Sequence, residues 1–569
     1  MLDSNFLFLA EDFPALEKMG SLAENYLYAD PNACLYKMGS LAETMVNYIF
    51  EMDDLKPPSG NDNTQANKLK ILQREKLITK EISDIFYRIR ISRNEAVHAG
   101  LDSFEECRAL LEQTHTLTIW FMQAYGNEHY EAIPFILPDD ISNQADYLKL
   151  IDENEKLSSE LEKAQAAALS KREHAHIHAS ERRQRAEKAA RNIRLSERES
   201  RYIIDEKLRK AGWDADTFNL RYSKGTRPED GRNIAIAEWP TDLTVCKWGY
   251  MDYALFAGLE LIGVVEANAD RHDILFAIDN QCREYSMGVK EEHLGYAGGT
   301  WGEYKVPFLF AANGRGYMKQ IETKSGVWFR DARDNSNNPR SLQGWIGPHD
   351  LTDMLTSDIA AANRNLSEYS YDPLRDKDGL SLRPYQIEAI EKAEAAVIQG
   401  SQAALLEIAT GTGKTRIIPG IIHRFLKTGR FKRILLLIDD ASDERIPGVF
   451  KDVMIDGRMT LEQIYGIKPN DGTGINKDSK IHVSTVPNLY ERIFIVGDGS
   501  EPSVAEYDLI IADEIHTGQI NDFYAVLDYF DAKKIVLTAD SAQYASELFG
   551  KPVFTYSRRR AVEEGYLAE

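Results

Sequence analysis

The stretch "AALLEIATGTGKTRIIPGIIHRF", residues 403–425, reads as strand, loop and helix in immediate succession. Its apolar start has the length of a buried strand, and its end carries apolar residues at helical spacing. Between them runs Ala409-Thr410-Gly411-Thr412-Gly413-Lys414-Thr415. Gly411 and Gly413 let the backbone N–H groups curl around a phosphate, and the following helix turns its positive N-terminus toward the same anion. Lys414 has the reach to neutralise β- and γ-phosphates, and the Thr415 hydroxyl suits Mg²⁺. The loop opens on Ala409 where the general pattern has glycine. A strand feeding such a loop predicts an α/β layer with a parallel sheet and ATP as ligand.

About a hundred residues later "YDLIIADEIHTG", 507–518, sets Asp513 and Glu514 at the end of another buried strand. Asp513 is expected to hold Mg²⁺ and Glu514 to activate water, with His516 passing the nucleotide state onward. Together with the loop, the acid pair predicts a RecA-like parallel-sheet ATPase domain over 381–569. "KIVLTAD", 534–540, adds a further strand.

Outward from this module, the 569 residues require several domains, since single cores rarely grow past about 250 residues. No apolar run reaches the ~18 residues of a membrane span, and the acidic start "MLDSNFLFLAEDFPALEK" does not resemble a secretory signal. Four scattered cysteines (Cys34, Cys107, Cys246 and Cys282) without a CxxC pair argue against a disulfide framework or zinc site and fit a reducing cytoplasm. The net charge of −22 predicts weak nonspecific DNA affinity. Any DNA contact must therefore use local basic surface, such as 171–194, with eight Lys or Arg against three Glu.

Residues 1–140 read as a helical N-terminal domain, with apolar positions at helical spacing in 34–52 and 108–126. Within it "RNEAVHAG", 93–100, spaces Arg93 and His98 in a way that resembles HEPN-type helical domains, some of which cut RNA. The competing reading is a helix-to-helix fastening. Residues 141–195, rich in Ala, Glu, Lys and Arg, predict a long charged linker helix exposed to solvent. His174, His176 and His178 lie on it, too few on one face for a closed metal site. Residues 196–355 predict an α/β domain, opening on the helix "SERESRYIIDEKLRKAGW" and continuing through strands "NIAIAEWP", "MDYALFAG", "LELIGVVEAN" and "VPFLFAANG". Residues 356–380 read as a linker.

Inside that middle domain "VVEANAD", 264–270, surfaces on Glu266, and Asp252 lies fourteen residues upstream. Two acids so placed predict a Mg²⁺ site for phosphodiester chemistry. Such sites usually carry a lysine two residues after the second acid, and here that residue is Asn268. Slow cutting by metal alone, a cation borrowed from Lys247, Arg271 or Lys305, and loss of cutting are the three readings.

In order and content the chain resembles the restriction (R) subunit of type I restriction-modification enzymes: a helical N-terminal region, a PD-(D/E)XK nuclease, then a superfamily 2 motor. The stretches carrying the resemblance include 196–213, 251–268, "AIDNQCREY", "LRPYQIEAI", "ATGTGKT" and "FGKPVFTYSRRRAVEEGYLA". The resemblance implies that Asp252 and Glu266 bind the nuclease metal, with Glu199 as a supporting acid. Gln281 and Tyr285 match the Q-x3-Y element of DNA cleavage, and Gln386 the adenine-reading glutamine. It implies double-stranded DNA as substrate, ATP and Mg²⁺ as cofactors, and methyltransferase (M) and specificity (S) subunits as partners. Alternatives are an ATP- and DNA-binding module with a dead nuclease, or a defence protein with an N-terminal RNase. The motor is expected to be incomplete after its first domain and to hydrolyse ATP poorly alone, an arginine finger being worth ~10³-fold or more. The departures at Asn268, in 435–450 and in "TADS" bear on cutting, DNA tracking and coupling.

Overall fold

A computed structural model describes residues 4–99, 104–140, 179–193, 195–267, 274–334, 336–438, 445–455, 459–469, 479–496, 501–514, 520–539, 545 and 549–568. The chain divides into two compact units, 1–210 with 214–341 and 495–499, and 211–213 with 342–494 and 500–569. Among the described residues, no helix is long and apolar enough to cross a membrane.

The first unit begins with five helices: α1 (Pro14–Tyr26), α2 (Pro31–Met52), α3 (Gln65–Arg74), α4 (Lys80–Ala99) and α5 (Phe104–Tyr125). Asp30 caps α2 by accepting from the Ala33 N–H at 3.0 Å, with Pro31 at the first helical position. Leu41, Met45, Phe86, Trp120 and Phe121 are fully buried at their common core. α6 (Ala179–Arg191) is the described part of the expected linker; residues 141–178, with all three linker histidines, lie outside the described residues. α6 differs from an exposed arm. Ala186, Ala189 and Ala190 are buried, the Trp120 indole N–H donates to the Ala186 carbonyl at 3.0 Å, and Arg182 pairs with Asp53 at 2.9 Å. Alanines at i, i+3 and i+4 make an apolar stripe that the surrounding charge conceals.

α7 (Glu197–Lys210) leads into a seven-stranded sheet in sequential order: β1 (Asp214–Ala215), β2 (Asn233–Pro240), β3 (Tyr250–Ala257), β4 (Glu260–Ala267), β5 (Phe308–Ala312), β6 (Val327–Asp331) and β7 (Arg340–Leu342). The β2–β3–β4 meander is antiparallel and β4–β5 parallel. α7 separates two environments. Ile203 joins the helical core, while Asp205 on its other side bonds Thr217 and the Tyr253 hydroxyl of β3. The loop after β5 ties the halves together: Arg315 pairs with Glu81 of α4 at 3.4 Å and donates to the Ala190 and Arg191 carbonyls of α6. Gly314, at φ +80°, comes so close to Ser200 that a Cβ would sit 2.9 Å from its Cα.

The second unit holds a seven-stranded parallel sheet, β10-β11-β9-β12-β13-β8-β14, with β8 (Ala403–Ile408), β9 (Ile434–Ile438), β10 (Ile467–Pro469), β11 (Ile481–Thr485), β12 (Leu509–Asp513), β13 (Lys533–Thr538) and β14 (Phe554–Tyr556). Runs such as "ILLLI" in β9 are buried throughout, as strands covered on both faces must be. Residues 356–380 are not a free linker. Leu366, Leu374 and Leu380 are buried in this core, and Arg424, ion-paired with Glu394, donates to the carbonyls of Leu366, Tyr369 and Ser370. The helix Pro348–Leu355, expected at the end of the middle domain, also belongs to this unit through bonds from Arg433 and Ser503 to Asp350.

Candidate functional site

In the middle sheet, Tyr253 of β3 pairs with Val265 of β4. One step further along the same register stand Asp252 and Glu266, which strand alternation puts on one face. Both are buried, at 7% and 5% exposure. Asp252 Oδ2 accepts from the Ala267 N–H at 2.8 Å, and its Oδ1 takes the Arg201 guanidinium at 2.8 Å. Glu266 Oε2 accepts the Tyr285 hydroxyl at 2.5 Å. Burial, reinforced by the Asp252 charge, pushes the Glu266 carboxyl up to about 8. Asp252 is also raised by burial, with Arg201 and the Ala267 N–H opposing.

Two acids pressed together in a dry place are short of positive charge, and a divalent cation is what relieves them. Among the described residues no three His, Cys, Asp or Glu side chains gather as a complete metal site. Two carboxylates nevertheless match the way magnesium is held, with water and phosphate oxygens completing its octahedron.

The other expected members distribute unevenly. Tyr285 lies on the helical segment Arg283–Met287, directly after a π-helical turn, Ile278–Cys282, that carries Gln281. Such turns recur at functional sites because the extra residue re-aims the side chains that follow. Glu199 does not join the acids. It faces the N-terminal helices, accepting from Thr116 at 3.0 Å and from the Ser196 N–H at 2.8 Å, where it completes a capping box on α7. Burial and the neighbouring Glu112 raise it to about 7. Asn268 and Arg271 lie outside the described residues. Lys247 pairs with Glu284, and Lys305 donates to the Val289 carbonyl.

Arg201 was missing from the expected site. Its signal was present in the sequence, an arginine three and seven residues before Ile204 and Leu208, both buried, on an amphipathic helix. A charge on the buried stripe needs a partner inside the fold. Two residues on from Glu199, it points some 200° around the helix, away from that acid and toward Asp252.

In the parallel-sheet unit the loop Ala409–Gly413 joins β8 to the helix Lys414–Lys427. Gly411 and Gly413 take φ of +83° and +85°. The Thr412 hydroxyl donates to the Ala409 carbonyl at 2.6 Å, and the Tyr385 hydroxyl to the Thr412 carbonyl at 2.5 Å. Gln386 braces the loop, its amide nitrogen donating to the Thr412 and Gly413 carbonyls and its oxygen accepting from the Arg383 N–H. Lys414 is ion-paired with Glu514, which sits at φ +66° just past β12. Asp513 ends β12, opposite Leu537 of β13. Thr410 is exposed and Thr415 half-buried in the first helical turn. His516 lies outside the described residues, as does the side chain of His98. Arg93 pairs with Glu43 at 3.3 Å, and its stem packs on Gly39 of α2, the fastening role.

Residues 214–355 match the family described as "Type I restriction enzyme EcoKI endonuclease subunit second domain", and residues 379–540 match "Type III restriction enzyme, res subunit". The EcoKI endonuclease subunit of Escherichia coli K12 is 31% identical over an alignment covering 100% of this chain and 55% of that protein. The EcoAI endonuclease subunit of Escherichia coli is 29% identical, covering 63% of this chain and 41% of that one. The yeast putative ATP-dependent helicase IRC3 matches 26% of the chain at 27% identity, with 21% of its own length covered. The chain spans about half the length of the restriction subunits it matches. With both family domains in the order found in the sheets, and similarity running along its whole length, the chain is a homologue of type I restriction endonuclease subunits that carries a ResIII-type helicase-like domain.

Proposed function

We propose that this chain is the restriction subunit of a type I restriction-modification system, coupling ATP-dependent translocation of double-stranded DNA to Mg²⁺-dependent endonucleolytic cleavage of unmodified DNA. In this reading it works in the cytoplasm beside methyltransferase and specificity subunits. The observation that carries the reading is the convergence of Asp252 and Glu266 from adjacent strands, braced by Tyr285 and Arg201.

Asp252 and Glu266 would hold a magnesium ion, which would supply Lewis acidity toward the scissile phosphate. The protein's own part is alignment. The Ala267 N–H fixes Asp252 Oδ2, and the Tyr285 hydroxyl fixes Glu266 Oε2. Gln281, one helical turn before Tyr285, is assigned to the DNA strand. In the motor, the loop 409–413 cradles the β-phosphate through its N–H groups, Lys414 neutralises the phosphates, and Thr415 and Asp513 serve the magnesium of ATP. Glu514 orients the attacking water once Lys414 exchanges its carboxylate for the γ-phosphate. Gln386, bracing the loop through its amide nitrogen, is assigned to adenine through its oxygen, and His516 to relaying the nucleotide state.

The test follows cutting of unmodified circular DNA by the full-length protein with its methyltransferase partners, ATP and Mg²⁺. Asp252→Ala is expected to abolish cutting while ATP consumption continues, and Lys414→Ala to abolish both. Cutting that survives Asp252→Ala sinks the assignment of the nuclease centre.

A further inference from the structure

The nuclease centre lacks a lysine two residues after Glu266, because Asn268 stands there. Resting on the nuclease reading above, we infer that Arg201 of α7 supplies the positive charge that this position does not.

Three observations converge. The Arg201 guanidinium is the cation in direct contact with the acid pair among the described residues, 2.8 Å from Asp252 Oδ1. Its side chain is 14% exposed, so the charge acts across little water. The other sequence-derived candidates within the described residues are engaged elsewhere, Lys247 with Glu284 and Lys305 with the Val289 carbonyl.

The anchoring favours an electrostatic role over a passive one. α7 is pinned to the sheet by Asp205, which bonds Thr217 through both oxygens and accepts the Tyr253 hydroxyl. At its start, Glu197 takes the same Arg201 nitrogen at 3.2 Å and is mostly exposed. The guanidinium is thus held at Asp252 from one side and tethered at the rim from the other. A preorganised charge of this kind costs no reorganisation when a phosphate arrives. Arginine suits the task because it stays charged beside buried acids and its planar fork is held in one orientation by them. Arg201 acts through Asp252 and the field at the phosphate, as a positioning residue.

The experiment compares four forms of the full-length protein with its methyltransferase partners: wild type, Arg201→Gln, Arg201→Lys and the double variant Arg201→Gln/Asn268→Lys. Three quantities are measured: cutting of unmodified circular DNA, Mn²⁺ affinity by electron paramagnetic resonance, and melting temperature. Loss of one preorganised donor predicts a fall of ~10²-fold or more in cutting for Arg201→Gln. Mn²⁺ affinity should hold or tighten, since a competing cation has left Asp252. Arg201→Lys should retain part of the activity, and the double variant should recover most of it. Cutting unchanged in Arg201→Gln overturns the inference. So does a loss of cutting matched by a loss of Mn²⁺ affinity, or one that neither Arg201→Lys nor Asn268→Lys restores, since both outcomes assign Arg201 to structure alone. A wild-type protein without cutting that depends on Asp252 defeats the nuclease reading itself, and the inference with it.

Discussion

At the residue scale, both sites depend on groups whose geometry tolerates little change. Gly413 is the sharpest case. Its φ of +85° is costly for any residue with a side chain, and an added Cβ would meet the Gln386 amide nitrogen at 2.7 Å. That nitrogen is the one bonded to the loop's own carbonyls. Gly413→Ala should therefore displace the brace and distort the cradle together. The expected outcome is loss of ATP binding by at least ~10-fold with a stability cost of about 1–3 kcal/mol, checked by nucleotide titration and denaturant melts. An unchanged affinity would show that the brace does not shape the loop. The acid pair has the opposite character, with no positive-φ backbone at Asp252 or Glu266. Its tension is electrostatic, two buried acids sharing the donors of Arg201, Ala267 and Tyr285.

At the scale of elements, α7 is the hinge between two kinds of packing. Glu199 and Ile203 face the N-terminal helices, while Arg201 and Asp205 face the sheet. Glu199, expected near the metal by resemblance, closes the capping box of its own helix at 2% exposure. Its carboxyl is raised to about 7 by burial and by Glu112. The sign follows directly: the folded state keeps this proton up to about pH 7, while the unfolded chain releases it near the model-peptide value of ~4.3. The contribution to stability is therefore full at low pH and is lost as pH rises through that window. Wild type should lose several degrees of melting temperature between pH 5 and pH 8 relative to Glu199→Gln, while Mn²⁺ affinity of the two proteins stays the same. A difference in Mn²⁺ affinity would return Glu199 to the metal site.

At the scale of the whole molecule, the helical half and the middle sheet form one compact unit because buried contacts cross between them. Arg315 shows this most clearly. From the loop after β5 it pairs with Glu81 of α4 and donates to two carbonyls at the end of α6, with 4% of its side chain exposed. Breaking a buried pair leaves an unpaired charge inside the protein, at a cost of about 3–5 kcal/mol. Arg315→Ala should therefore destabilise the helices and the sheet in the same transition. Circular dichroism at a helical wavelength and tryptophan fluorescence, followed together in denaturant, check this. Separate midpoints would mean that the two halves fold independently.

How much was legible in advance depended on whether the deciding interactions were local. The phosphate loop, the strands around it, Asp252 and Glu266 stood in the sequence, since loop chemistry, strand alternation and acid spacing are short-range properties, whereas Tyr285 was singled out by resemblance alone. The charged stretch over α6 misled because three alanines carry its buried face. The 356–380 segment looked like a linker, although its few leucines reach into the parallel-sheet core. The helical pattern marked Arg201 as a charge needing a buried partner, but which partner was beyond it, since Asp252 lies fifty-one residues away and is met only where α7 packs against the sheet. The sequence by itself determined which folds are present and that the two candidate acids end adjacent strands, because backbone propensity and apolar period act within a few residues. Only the tertiary structure decided that Arg201 meets Asp252 and that Glu199 turns to the N-terminal helices, because burial and charge pairing are settled between elements distant in the chain.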